Sequence, residues 1–188
     1  MTLRNNAVRL LTEWQSPDDG QERLRRDYLA HLSEHADGLL KSGPPEHLTA
    51  SCMVFDTSLR HVLLTLHRKG GFWVQFGGHC EPDDVDLPAA ALREAIEESG
   101  LPATDLRLVD EPVDLDRHPL PAQFGRCREH LDVAFAAIAP DGAEPVVSDE
   151  SDDVAWWPLD ALPYGIVADL PPRLERAVTR VRSARIPR

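Results

Sequence analysis

Basic residues are scarce in this sequence: 20 Lys and Arg stand against 32 Asp and Glu, a net charge of −12 with the histidines neutral. Such a surface repels polyphosphate backbones and excludes DNA or RNA as a partner, while a small phosphorylated ligand stays open if a cation bridges it. Cysteine is scarcer still. Cys52, Cys80 and Cys127 are an odd set at irregular spacing, so no secreted disulfide framework is present and reduced thiols are expected. Long apolar runs are missing. The longest, Val133 to Ala139, falls far short of the roughly 20 residues of a membrane helix. The N-terminus opens on Arg4, Asn5 and Asn6 instead of an apolar signal core, so no membrane partner and a cytoplasmic location are expected. Neither Gly-x-Gly-x-x-Gly nor a Walker-type Gly-Lys-Ser/Thr follows a strand, so dinucleotide-fold dehydrogenases and P-loop enzymes drop out.

Against roughly 150 residues per domain, 188 residues read as one domain with an appendage. From Leu3 to Leu40 the pattern is helical. Ser16-Pro17-Asp18-Asp19 is a start signal: Ser16 as cap, Pro17 at the first helical position and the aspartates at the positive dipole end. Leu24, Tyr28 and Leu32 recur every four residues, a stripe that must pack on the main core or on a second subunit. A homodimer is therefore in view. Ser42-Gly43-Pro44-Pro45 breaks the pattern, which divides the chain into a helical extension, 1–45, and a main domain, 46–188. Strand candidates follow at His47–Asp56, His61–Leu66, Phe72–Val74, Leu106–Val109, Val113–Leu115, Leu131–Ile138 and Val154–Trp157, with helices at Ala89–Ser99 and Pro171–Ile186. Leu131, Val133, Phe135 and Ala137 alternate along one face, and Leu174, Val178 and Val181 share a helix side. Strands and helices without a repeating rhythm predict an α+β or layered α/β/α domain.

The helix from Ala89 to Ser99 carries Arg93-Glu94-Ala95-Ile96-Glu97-Glu98. At about 100° per residue, Glu94, Glu97 and Glu98 fall in one arc with Leu92, Ile96 and Ser99 opposite. Glu94 and Glu98 form a like-charged i,i+4 pair, and Glu97 and Glu98 lie in the last turn, where the helix dipole disfavours anions. A merely solvated face would more naturally hold lysines there. Arg93 can pair with Glu97, and a hard divalent cation, Mg²⁺ or Mn²⁺, would relieve the rest. Ala90 and Ala91 are small enough to leave room for an ion and its ligand, and Gly77-Gly78 upstream lets backbone approach closely.

The segment from Gly78-His79-Cys80-Glu81 to Arg93-Glu94-Ala95-Ile96-Glu97-Glu98-Ser99-Gly100-Leu101 resembles a Nudix box, the signature of hydrolases acting on nucleoside diphosphates linked to another moiety. The usual form is G-x5-E-x7-R-E-U-x-E-E-x-G-U, with U a bulky aliphatic residue. Here Ala95 stands in the first aliphatic place, and Asp84 replaces the first glutamate with one residue too many before Arg93. The resemblance implies an α/β/α sandwich with a mixed sheet, the box as a loop–helix–loop metal site, and an N-terminal helical extension outside it. It implies Glu94, Glu97 and Glu98 as metal ligands, with Glu97, Glu98 and Arg93 as the catalytic set. Arg93 would orient the glutamates, and Gly77, Gly78 and Glu81 would form the phosphate-facing loop. The implied reaction is Mg²⁺- or Mn²⁺-dependent cleavage of a phosphoanhydride in a nucleotide-like substrate, with water activated by a base. Glu97 and, in the acidic loop Ser148–Asp153, Glu150 are the base candidates.

Trp73, with Trp156 and Trp157, could stack on a nucleobase or belong to the core. Arg126, Arg128 and His130 could meet phosphate or mark an exposed basic edge strand. His79, Cys80, Cys127 and His130 have no spacing of a known zinc finger, which argues against a zinc site. Two alternatives are a Nudix-like binding module without catalysis and an isopentenyl-diphosphate isomerase, which Arg128-Glu129-His130-Leu131-Asp132 partly resembles. The isomerase's second glutamate is missing here, and its active cysteine would fall near Gly77.

Overall fold

The computed structural model describes residues 2–122, 125–149 and 151–184. Two helices, α1 (Leu3–Glu13) and α2 (Asp19–Glu34), precede β1 (Glu46–Phe55), β2 (His61–His67), β3 (Phe72–Val74) and β4 (Phe76–His79). Helix α3 (Leu87–Ser99), a 3₁₀ turn (Ala103–Asp105), β5 (Arg107–Pro119), β6 (Glu129–Ile138), β7 (Ser151–Pro158) and α4 (Leu170–Ser183) complete the chain.

The strands form one mixed sheet, ordered β3-β2-β1-β6-β5, with β7 paired to β2. β1 and β6 run parallel over their whole length, from Glu46↔Glu129 to Phe55↔Ile138. The other edge of β1 is shared: its C-terminal end meets β2 at Val54 and Phe55, and its N-terminal half meets β4 antiparallel from Thr49↔His79 to Cys52↔Phe76. This division frees β4 to carry Gly77, Gly78 and His79 to one end of the sheet. β6 is an inner strand between β1 and β5, so the edge-strand reading of Arg126 to His130 fails. The Val113–Leu115 candidate and the Leu106–Val109 candidate from Arg107 onward belong to one strand, β5, whose register slips between Val109 and Asp114. That bulge made the sequence look like two strands.

Side chains alternate between two cores. Leu48, Ala50, Cys52 and Val54 of β1, with Leu131, Val133, Phe135 and Ala137 of β6, face α1, α2 and α3. Met53 and Phe55, with Ala134, Ala136 and Ile138, face α4 through Leu174, Val178 and Val181. The result is an α/β/α sandwich with three helices on one face and one on the other. Tyr28 and Leu32 are fully buried and Leu24 packs beside them, so the stripe of α2 is spent on the chain's own core. Helix α2 starts later than Ser16 and Pro17 suggest: Asp18 is the cap, accepting from the Gln21 N–H, while the Ser16 hydroxyl donates to Glu22. Helix α3 starts earlier than expected, because Asp86 accepts from the Ala89 N–H and Pro88 fits the first turn; Gly100 ends it in the left-handed conformation at φ 67°. Among the described residues no helix is long and apolar enough to cross a membrane.

Candidate active site

Helix α3 lies against β1 and β4 by its smallest side chains: Ala90, Ala91 and Ala95 are completely buried. This corrects the expectation that Ala90 and Ala91 leave room for an ion. Their smallness serves close helix–sheet approach, and it brings Glu94 and Glu98, which fall between Ala90 and Ala91 on the helical wheel, up to β4. Gly78 stands directly under Glu94, and a Cβ built there would lie 2.6 Å from the Glu94 Oε1. The Gly77 N–H donates to the Glu98 carboxylate at 3.0 Å, and Glu98 is only 7% exposed. Two of the three box glutamates are thus set by the glycine pair.

Arg93 joins the helix to the loop before it. Its guanidinium donates to both oxygens of Asp84, each at 3.1 Å, and to the His79 carbonyl at 3.0 Å. It also reaches Glu94 at 2.9 Å and Glu97 at 3.2 Å. The bidentate partnership with Asp84, first among its causes, raises the guanidinium's pKa above the ordinary arginine value. Asp84 also accepts from the Glu81 N–H at 2.7 Å and its side chain is 7% exposed. Asp84 therefore serves as Arg93's anchor, and the extra residue of the loop is absorbed between His79 and Asp86 without disturbing α3.

A cleft of about 990 Å³ opens over these groups, lined by Gly77, Gly78, His79, Glu81, Arg93, Glu94, Glu97, Glu98 and His130, and by Lys41, Arg68, Lys69 and Ser148. A second cleft of about 370 Å³ shares Gly77, Gly78, Glu98 and His130 with it and continues between Phe72, Val74, Leu120 and Val167. The sequence reading missed Lys41, Arg68 and Lys69. The signal was Arg68-Lys69 beside Gly70-Gly71 in an acidic chain; it marks the end of β2, which the sheet turns toward the box. Arg68 holds the acidic loop by donating to Asp152 at 2.9 Å, the Ser151 carbonyl at 2.7 Å and the Asp149 carbonyl. Glu150, the second base candidate, lies outside the described residues.

Two of the expected substrate contacts are not brought to the clefts. Trp73 is buried in the α4-side core, edge-on to Trp157 at 5.4 Å, and its ring is used for packing. Arg128 is exposed at the entrance to β6, its backbone bonded to Pro45 and Leu120, and it lines neither cleft. The isomerase's thiol has no counterpart at Gly77, and burial pushes the nearby Cys80 thiol up to about 12. Histidines gather instead. His47, His79 and His130 meet around Cys127, with ring centres 5.1 to 5.3 Å apart. Burial, with Lys41 and His47 nearby, holds His79 down at about 4; burial and the neighbouring His118 hold His130 down at about 3.

A sequence model of the NUDIX domain matches residues 45–179, and the chain belongs to the NUDIX domain family. Solved structures agree in fold. A NUDIX-family hydrolase from Clostridium perfringens is 22% identical at a TM-score of 0.57, covering 72% of this chain and 97% of its own. The C. elegans Ap4A hydrolase is 17% identical at a TM-score of 0.59, covering 73% and 98%. The E. coli dihydroneopterin triphosphate pyrophosphohydrolase is 19% identical at a TM-score of 0.59, covering 73% and 96%. No curated protein sequence matches the chain.

Proposed function

We propose that this protein cleaves a phosphoanhydride bond in a nucleoside diphosphate-linked substrate, in the cytoplasm, with Mg²⁺ or Mn²⁺ held by Glu94, Glu97 and Glu98. The observation that carries the reading is the meeting of three carboxylates of α3 with the Gly77-Gly78 backbone in a cleft rimmed by Lys41, Arg68 and Lys69. The donor set fits the ion: hard carboxylate oxygens, one of them largely buried and aimed by a backbone N–H, are what Mg²⁺ and Mn²⁺ prefer. When bound, such an ion supplies charge neutralisation for the diphosphate and a lowered pKa for water.

The chain's own residues do the rest. Arg93 fixes the rotamers of Glu94 and Glu97 while tying the loop to the helix, so the carboxylates are ordered before substrate arrives. Lys41 and Lys69 give an otherwise acidic molecule a local attraction for phosphate. Glu97, whose side chain is 57% exposed, is positioned to take a proton from water, with Glu150 as the loop alternative. The charged cleft suits the diphosphate, and the more apolar one beside it, between Phe72, Val74 and Leu120, suits the organic moiety.

The test is a panel of ADP-ribose, NADH, nucleoside triphosphates and dinucleoside polyphosphates, each with Mg²⁺ or Mn²⁺. Wild type is expected to turn over at least one compound, and Glu98→Gln to lose at least about 10²-fold in rate. Tight binding of a compound without turnover by wild type would make the protein a binding module and sink the catalytic reading.

A further inference from the structure

We propose that His47, His79, Cys127 and His130 form a second metal site, taking a zinc-class transition-metal ion in an N₃S tetrahedron distinct in chemistry from the carboxylates of α3. The topology brings the four together. His47 and His130 are register partners in the parallel pair β1–β6. His79 sits on β4 opposite Thr49, two residues along β1 from His47 and on the same face of the sheet. Cys127 enters from the segment leading into β6. One ligand-capable atom from each residue lies within 4.8 Å of all the others.

The spacing is close to what an ion imposes. A tetrahedral zinc with Zn–N of about 2.0–2.1 Å and Zn–S of about 2.3 Å sets its ligand atoms about 3.3–3.6 Å apart, and Cys127 Sγ lies 3.7 Å from His79 Nε2. The other ligand atoms, within 4.8 Å of one another, would draw in by about 1 Å to reach that spacing. A second observation is independent of the spacing. Among the described residues, Nε2 of His47 and Nε2 of His130 are buried without any hydrogen-bond partner, and His47 is wholly buried. Orphaned buried nitrogens carry an uncompensated desolvation penalty that metal coordination removes. The tautomer is already set at one ligand, because His47 Nδ1 lies 3.1 Å from the Pro44 carbonyl; donating there leaves the Nε2 lone pair facing the cluster, the supporting arrangement usual behind metal-bound histidine. Imidazole and thiolate select zinc over magnesium, so the two sites would not compete for one ion.

Such an ion would clamp the chain entering β1, the end of β4 and the start of β6 to one another, immediately beside Gly77 and Gly78. Its test does not depend on turnover. The full chain, stripped with EDTA, is titrated with Zn²⁺ against a chromophoric chelator, and zinc X-ray absorption is measured on the loaded wild type. One tightly held zinc per chain with a first shell of three nitrogens and one sulfur is expected, and it should persist in Glu94→Gln/Glu98→Gln. Cys127→Ser and His79→Gln should each weaken zinc by more than about 10²-fold, beyond the 10–100-fold loss usual for a supporting contact. With Co²⁺ in place of zinc, the thiolate-to-cobalt charge-transfer band should vanish in Cys127→Ser. Zinc that leaves on dialysis, a first shell without sulfur, or a titration unmoved by both substitutions would overturn the site; the wild-type absorption measurement decides it even where a variant fails to fold.

Discussion

At Gly78 a side chain would collide with the end of the Glu94 carboxylate, at 2.6 Å, whereas at Gly77 it would collide with Ser51 Cβ at 2.5 Å and the Ala50 carbonyl at 3.0 Å. The first obstacle is the tip of a flexible side chain and the second is a neighbouring strand. Gly78→Ala should therefore leave stability within about 1 kcal/mol of wild type while raising the Mg²⁺ concentration for half-activation by roughly tenfold. Gly77→Ala should lower the unfolding midpoint, because the β1–β4 pairing must give way. Thermal melts and Mg²⁺ titrations of the two variants check this, and an unchanged Mg²⁺ requirement in Gly78→Ala would remove Glu94 from the ion's ligands. The glycine pair was readable as a loop feature. Its division of labour was not, because that depends on which side of β4 each residue faces.

Helix α4 is fastened to the sheet by charge as well as by its apolar side. Arg173, buried, donates to Asp114 at 2.7 Å and to Asp132 at 2.9 Å, with Asp116 at 3.3 Å, and Arg176 reaches Asp114 at 2.6 Å. Asp132 also accepts from Thr49 and Ser51, so the network joins α4, β5, β6 and β1. Removing one partner of a buried ionic cluster strands the others, at a cost of about 3–5 kcal/mol, and Arg173→Met should lose that much in urea unfolding at neutral pH. Burial already raises the Asp114 pKa despite its two arginines. Without Arg173 the folded state binds more protons than the unfolded state, so stability must fall as pH rises through the carboxylate range. The deficit of the variant should accordingly shrink toward pH 5, and a deficit independent of pH would show that lost packing, not charge, is responsible. The apolar stripe Leu174, Val178 and Val181 was legible from its period, whereas nothing in that period marks Arg173 as buried. Its partners lie on strands 41 to 59 residues away in sequence.

Over the whole molecule, the N-terminal helices are structural members of the sandwich. Leu11, Tyr28 and Leu32 are fully buried and Trp14 nearly so. Trp14 donates to the Pro112 carbonyl at 2.7 Å, and the Gln21 side chain both donates to and accepts from the backbone of Leu115, filling the backbone needs of β5. Burial of such side chains contributes about 1.5–3 kcal/mol each, together comparable to the roughly 5–15 kcal/mol by which a domain is stable. A chain starting at residue 45 should thus lack a cooperative melt or be insoluble, although the family match begins there; a soluble fragment melting near the full-length temperature would make residues 1–45 a separable appendage. The sequence by itself determined the acidic α3 face, the arginine that serves it, the glycine pair and the alternating strands, because helical and extended periodicities and turn chemistry are local. Only the tertiary structure decided that Asp84 anchors Arg93, that Trp73 is packing, that Lys41, Arg68 and Lys69 rim the cleft, and that His47 joins His79, Cys127 and His130. These depend on strand register and on which face of the sheet a residue takes, and contacts between residues tens of positions apart leave no periodic trace in the chain.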